Sequence, residues 1–383
     1  MKYLCLLLIL ISTFTCGGDS KYTPANNQQP DPKDTVVVNN EFLKKIKGNL
    51  IEIDMTMLPS LNITPEALVN DLKKAKITSV HIFIAGYWDG NKNDAIFKPE
   101  YMEALKNNGI AIWLMMCGNC FYGTPPLPVE WEMQTLTPYP GIKFYSFHND
   151  DYVNWQVERV KTIMKNYDFI GIEFAESYFP EWKTILTNGV YGDVSYFARE
   201  KFSKEYMHLT TVLTFDEIKN NPTTYQQWIT YRADAIINFN QKIKDVIKSV
   251  NPNTLFAAWG IGIRGGSLSE IREHFGLDQE RIVKEVKPDL MFIQTASQDW
   301  GDASLPYSYL SEYSYIVNAL KKADPQVVLG IQTDIASLSW SNSNVPKRTW
   351  DWWMNFCDLS LKSGYYTNTA YEYYFYKKQD LWK

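Results

Sequence analysis

The sequence predicts a single-domain (β/α)8 barrel (TIM barrel) of the α/β class, and two observations support this prediction. Short apolar runs alternate with helical patterns from about residue 50 onward, and this alternation gives eight strands. Alternating strands and helices favour a parallel sheet, and eight repeats favour its closure into a barrel. The chain has 383 residues, a length within the range of one such barrel. No G-x-G-x-x-G motif follows the first strand, so an open doubly wound sheet is disfavoured.

The predicted elements follow one another in regular order. The strands cover residues 50–55, 80–85, 110–116, 169–175, 255–259, 290–295, 327–333 and 365–370. The helices cover residues 65–74, 100–107, 152–166, 224–249, 279–286, 309–322 and 350–361, and Thr64 is placed to cap the first of them. No helix is predicted after the eighth strand, where residues 36–47 could cover the gap. Long connections after the third and fourth strands, 117–151 and 176–223, are expected at the C-terminal end of the barrel, where such folds carry their sites.

The first sixteen residues have the pattern of an export signal. Lys2 precedes an apolar run over residues 4–11, which is too short to span a bilayer. Cys16 follows, with two glycines after it, and this arrangement resembles a bacterial lipoprotein signal peptide. The resemblance implies a signal and lipidation cysteine over 1–16, and anchoring to the cell envelope through Cys16, with the outer membrane expected. Periplasmic or secreted protein is the alternative. Residues 17–35 predict a flexible tether, and 36–383 form the barrel domain.

Composition excludes several classes of function. The net charge is −5, which argues against nucleic acid binding, because such binding needs a basic stripe on the surface. The four histidines form no H-x-H or H-E-x-x-H motif, so we expect neither a metal nor an organic cofactor. Aromatic residues reach 15%, which fits either a large core or a cleft whose aromatic faces contact sugars. The oligomeric state is not predicted.

One cysteine motif lies in the long connection after the third strand. Cys117-Gly118-Asn119-Cys120 is a lone C-x-x-C, and without a second pair it does not predict zinc. A pair of buried thiols and a disulfide formed in an oxidising compartment remain alternatives.

Alternation of side chains along the strands places acids inside the barrel. Apolar residues of the first, fourth and seventh strands fit the helix-facing side, so the intervening polar residues point inward. A carboxylate in a barrel lumen is costly unless it is paired or hydrated, so acids that converge there indicate a functional site. Glu52 or Asp54 could instead pair with a buried base such as His81. The acids predicted near the upper mouth are Asp54, Glu173 or Glu176, Asp334 and Glu372.

The strand order, the segment Ile172-Glu173-Phe174-Ala175-Glu176 and the aromatic residues after successive strands resemble the (β/α)8 glycoside hydrolases. The resemblance implies cleavage of an oligo- or polysaccharide by two carboxyl groups. It implies that Glu176, or Glu173, is the acid/base and that Asp334 is the nucleophile or base. The sequence departs from the pattern because no Asn precedes either Glu and because the seventh strand offers Asp instead of Glu.

Further polar and aromatic residues at the strand ends are predicted to bind the substrate. A rival hypothesis is a glycan-binding lipoprotein without catalysis, and a third is a structural envelope protein whose mouth is plugged by the long loops. The predicted substrate-binding residues are Asp54, Trp88, Asp89, Trp113, Tyr178, Trp259, Gln294, Trp300, Gln332 and Glu372, with Trp340 as a further rim aromatic.

Overall fold

The computed structural model describes residues 41–138, 141–180, 190–302, 304–335 and 348–383. The predicted signal peptide with Cys16, the tether over 17–35 and Trp340 lie outside these residues. Within the described ranges, no helix combines the length and the apolar character needed to cross a bilayer.

Eight parallel strands close into a barrel, as predicted. All eight predicted strands are present, with ends displaced by at most a few residues. A two-stranded antiparallel hairpin, β4–β5, is inserted between the third and fourth barrel strands. In chain order the strands are β1 Gly48–Ile53, β2 Ile77–Ile84, β3 Ala111–Cys117, β4 Cys120–Tyr122, β5 Ile142–Phe144, β6 Gly171–Ala175, β7 Leu255–Ile261, β8 Leu290–Gln294, β9 Leu329–Asp334 and β10 Thr367–Tyr371. Around the barrel they run β1-β10-β9-β8-β7-β6-β3-β2.

Helices lie between the strands as expected. They are α1 Glu41–Lys45, α2 Pro65–Lys74, α3 Asp94–Phe97, α4 Pro99–Asn107, α5 Asp150–Asn166, α6 Tyr196–Lys201, α7 Phe215–Asn220, α8 Pro222–Val250, α9 Leu268–Phe275, α10 Gln279–Arg281, α11 Ser297–Trp300, α12 Ser314–Ala323, α13 Trp350–Lys362 and α14 Tyr373–Lys378. Short 3-10 helices span Leu58–Leu61, Val129–Trp131 and Tyr307–Tyr313, and π-helical turns span Phe202–Tyr206 and Ile282–Val286.

Two helix ends test the sequence rules directly. The Thr64 hydroxyl accepts a hydrogen bond from the Ala67 amide at 3.2 Å and Pro65 occupies the first turn, so α2 begins as predicted. The prediction that no helix follows the eighth strand was wrong. Glu372 caps the amides of Tyr374 and Phe375 and so starts α14 within a run of aromatic residues.

The lower half of the barrel lumen is filled by side chains. Trp113 is fully buried there and packs against Phe292 and His81. Gly171 leaves room for this indole, because a Cβ at that position would lie 2.7 Å from ring atoms of Trp113. Gly330 does the same for Phe292, with a Cβ distance of 2.5 Å. Ligand-accessible space is therefore confined to the upper half, at the C-terminal ends of the strands.

Candidate active site

A cavity of about 370 Å³ opens at the C-terminal end of the barrel. Its polar lining comes from two carboxyl groups and two amides, and its remaining walls are mostly aromatic and aliphatic. The carboxyl groups belong to Glu52 and Glu176, the amides to Gln294 and Gln332, and the aromatic rings to Phe83, Tyr122, Trp300, Tyr371 and Phe375.

Glu176 follows β6 in an unusual backbone conformation. Its φ angle is +52°, a left-handed value that is uncommon outside glycine and that clusters at functional sites. The turn is held by the Ser177 hydroxyl, which donates to the carbonyl of Phe174 at 2.7 Å. In this conformation the carboxylate lines the cavity and accepts a hydrogen bond from the Cys120 thiol at 3.2 Å. Burial raises the pKa of Glu176, and the hydrogen bond from Cys120 partly opposes that shift.

The C-x-x-C turn that contacts Glu176 is rigidly fixed. The Asn119 side chain is fully buried and donates to the carbonyls of Tyr145 and Tyr178, at 3.2 and 2.9 Å. The Tyr152 hydroxyl donates to the Gly118 carbonyl at 2.6 Å. Cys117 and Cys120 are both free buried thiols, so the structure shows the pair of thiols and not the disulfide. The β4–β5 hairpin that begins at Cys120 also carries Tyr122, whose pKa is raised first by the charge of Glu176 and then by burial.

Glu52 projects from β1 into the same cavity. Its side chain is buried, and its Oε1 accepts a hydrogen bond from Gln332 Nε2 at 2.7 Å, while its Oε2 has no hydrogen-bond partner among the described residues. Burial raises its pKa well above the ordinary value, and the charges of Glu173, Glu372 and Asp334 add to the shift. The raised pKa favours the neutral carboxylic acid form of Glu52, which offers a hydrogen-bond donor to the cavity.

Glu173 lies deeper in the barrel. It is buried, and it is not among the described residues that line the cavity. Its nearest titratable base is His81, with Nδ1 3.9 Å from the carboxylate. Burial raises the pKa of Glu173 well above normal and lowers that of His81 to about 3. Both shifts favour the uncharged form of the group, so this contact does not have the character of an ion pair. The buried base predicted as a partner of Glu52 or Asp54 lies next to Glu173 instead.

Asp334 ends β9 beside the cavity. It pairs in the sheet with Tyr371, which lines the cavity, and its charge contributes to the raised pKa values of Glu52 and Tyr371. Its backbone carbonyl accepts a hydrogen bond from the Arg348 guanidinium, which fixes the strand end. The carboxyl groups of Glu52 and Glu176 thus line one cavity, whereas Asp334 is buried next to it and is not among the described lining residues.

Three of the predicted substrate-binding residues line the cavity: Gln294, Trp300 and Gln332. The Trp300 ring is half-buried and stacks against Tyr371 with centroids 6.0 Å apart and planes at 14°. Its indole N–H donates to the Thr295 hydroxyl at 2.7 Å, so the orientation of the ring is fixed.

Two predicted aromatic residues support this lining from behind. Trp259 is buried and donates its indole N–H to Gln294 Oε1 at 3.1 Å. Tyr178 is also buried and stacks on Trp259, with centroids 5.5 Å apart. They fix the position of the Gln294 amide and do not themselves line the described cavity.

The remaining predicted substrate-binding positions need correction. Trp88 packs with Phe97 and Tyr167 in the layer outside the strands, and Trp113 lies in the filled lower lumen. Asp89 is exposed, and its carboxylate accepts a hydrogen bond from the backbone N–H of Asn91 in the same turn. Asp54 accepts hydrogen bonds from Thr56, and Glu372 caps α14, with burial raising the pKa of Glu372 to about 7. These side chains are committed to local structure and do not line the cavity.

Sequence comparisons with protein-family profiles and with curated proteins find no match. The structure is similar to the glycoside hydrolase domain of PgaB (BpsB) from Bordetella bronchiseptica, with a TM-score of 0.64, 13% identity and coverage of 87% of this chain and 96% of that one. It is also similar to a β-galactosidase from the psychrophilic Marinomonas ef1, with a TM-score of 0.57, 10% identity and coverage of 85% and 54%.

A third similar structure is α-L-fucosidase isoenzyme 2 from Paenibacillus thiaminolyticus, with a TM-score of 0.53, 13% identity and coverage of 86% and 46%. This chain spans about half the length of the galactosidase and the fucosidase. At identities this low the similarity shows the fold. The chain has the (β/α)8 barrel fold.

Proposed function

We propose that this protein is a glycoside hydrolase that cleaves an oligo- or polysaccharide at the C-terminal mouth of its barrel. The observation that carries the proposal is the pair of carboxyl groups, Glu52 and Glu176, in the lining of one aromatic-walled cavity, with Asp334 near enough for its charge to raise the pKa of Glu52. Hydrolysis of a glycosidic bond needs one protonated and one ionised carboxyl group on either side of the bond. The protein would act at the cell envelope, where the sequence predicts a lipid anchor at Cys16.

Each carboxyl group has a proposed role. Glu176 donates the proton to the leaving oxygen, because it lines the cavity at the strand end and its pKa is raised by burial. Asp334, from β9, acts as the nucleophile or base. Glu52 stays neutral and donates a hydrogen bond to a sugar hydroxyl through its Oε2, while Gln332 holds its other oxygen. Glu173 lies below the cavity and is not among its described lining residues, so it is not assigned a catalytic role.

A glycan panel tests this proposal. We expect the purified chain to release reducing ends from at least one oligosaccharide or polysaccharide, and Asp334→Asn to abolish that release while leaving the fold intact. Asp358→Asn, which changes an exposed aspartate on α13, is the matched control and keeps full activity. Binding without any cleavage across the panel, in the unmodified chain, would favour the glycan-binding hypothesis instead.

Trp300 offers a test of substrate recognition. We expect Trp300→Ala to raise KM about tenfold, or about 1.4 kcal/mol, because a sugar face loses its aromatic partner in the cavity. Initial rates against substrate concentration measure the effect, and kcat should change less than KM. Trp155→Ala removes a half-buried indole that does not line the cavity and serves as the control. Equal KM values for both variants would remove Trp300 from the binding site.

A further inference from the structure

Three potential metal ligands meet at the edge of the cavity. The Cys117 and Cys120 thiols and the Glu176 carboxylate each place one ligand atom within 4.8 Å of the other two. The Sγ of Cys120 lies 3.2 Å from Glu176 Oε2. Zinc–sulfur bonds of about 2.3 Å and zinc–oxygen bonds of about 2.0 Å separate tetrahedral ligand atoms by roughly 3.5–3.8 Å. The three atoms thus approximate one face of a coordination tetrahedron.

We propose that Cys117, Cys120 and Glu176 form a binding site for a thiophilic divalent cation of the zinc class. Glu176 lines the cavity, so the fourth coordination position faces the space that a substrate or water enters. Three protein ligands with one open position is the arrangement of zinc sites that exchange a ligand. The proposed hydrolysis does not require this cation.

The ligands are held in place before any cation arrives. Asn119 and Gly118 anchor the turn between the cysteines through the hydrogen bonds described above, and Ser177 holds the left-handed turn at Glu176. Such outer hydrogen bonds orient metal ligands and strengthen binding. On binding, each thiol loses its proton to solvent and forms a sulfur–metal bond, so no oxidant is involved.

Cation binding has a consequence for activity that rests on the proposed function. A cation held by Glu176 occupies the carboxylate that would otherwise donate its proton to the leaving group. Zinc-class cations therefore inhibit hydrolysis, and a chelator restores it. The binding itself does not depend on the chain being a hydrolase.

Cobalt(II) absorption tests the site without measuring activity. The full chain carries Cys5→Ser and Cys16→Ser, so that thiols outside the described residues do not contribute, and it is kept reduced. We expect one Co²⁺ per chain, a thiolate-to-cobalt charge-transfer band, and displacement of Co²⁺ by Zn²⁺. Cys117→Ser and Cys120→Ser should abolish the band, and Glu176→Gln should weaken affinity about tenfold or more. Cys357→Ser, at a buried free thiol elsewhere, should change nothing.

Three results would overturn the site. They are absence of binding when both thiols titrate as free, a band that survives Cys120→Ser, and a Cys117–Cys120 disulfide that persists under reductant. If the serine variants fail to fold, the band in the Cys357→Ser chain, in which Cys117 and Cys120 are the remaining cysteines, decides the matter. Cobalt binding without zinc inhibition, in a chain that cleaves glycans, would retain the site and remove Glu176 as the proton donor.

Discussion

Glu176→Gln is expected to lower kcat by about 10²–10⁴-fold, the usual contribution of a general acid, while the affinity for intact substrate changes little. Glutamine keeps the size of the side chain and its contacts at the cavity wall, but it has no proton to donate. The loss should shrink sharply for a glycoside with a good aryl leaving group, because such a group departs without protonation. Steady-state kinetics on both substrate types, in the presence of a chelator, measure the difference.

The pH profile provides an independent reading of the same variant. The proposed acid must be protonated, so the rate of the unmodified enzyme falls as pH rises through the pKa of Glu176, which burial raises. Glu176→Gln should lose this alkaline decline. Glu158→Gln, at an exposed position on α5, is the control and should retain both rate and profile. An equal loss on good and poor leaving groups would assign Glu176 a different role.

The second large effect concerns stability and not rate. Glu173 has a folded-state pKa raised well above its unfolded value of about 4.3. Its contribution to stability is therefore complete below that unfolded value and is lost as pH rises toward the folded pKa. The slope is about 1.4 kcal/mol for each pH unit in that window. Glutamine at this position does not titrate, so Glu173→Gln should remove that part of the decline.

Urea unfolding at pH 5 and pH 8 measures this change. We expect Glu173→Gln to gain stability relative to the unmodified chain at pH 8, and by more than at pH 5. The contribution of His81 to stability has the opposite pH dependence. The pKa of His81 is lowered to about 3, so this contribution is lost as pH falls below about 6.5. It is present in both proteins, so its effect largely cancels. Glu158→Gln is again the control, and parallel pH slopes for Glu173→Gln and the unmodified chain would show that Glu173 ionises freely inside the fold.

The barrel was predictable because its signals are local and repeated. Apolar runs of strand length recur eight times with helical patterns between them, and caps such as Thr64 mark helix ends by residue type alone. The helix α14 escaped prediction because its start depends on Glu372 bending back onto two amides in an aromatic run, where apolar periodicity gives no signal.

The site was only partly predictable, because strand alternation gives the face of a side chain but not its height. Trp113 and Met115 both point into the lumen, yet Met115 lines the cavity and Trp113 is sealed two residues lower. For the same reason, the sequence predicted Glu173 in the site together with Glu176, although Glu173 lies deeper in the barrel. Height depends on the stagger of neighbouring strands, which no single strand sequence contains.

Contacts between distant segments were the other gap. The sequence did not predict that Tyr122 or Tyr371 would line the cavity, or that the C-x-x-C turn would meet Glu176. That meeting depends on a left-handed residue at the end of β6, and glutamate at that position does not signal such a conformation.

The plug of Trp113 and Phe292 beneath the cavity gives the barrel a blind end. A ligand therefore cannot pass along the barrel axis, and it enters and leaves the cavity through the same opening. Under the proposed hydrolysis, a cleaved fragment would leave through that opening before the next molecule enters, and turnover of a long polymer would depend on how quickly the fragment leaves.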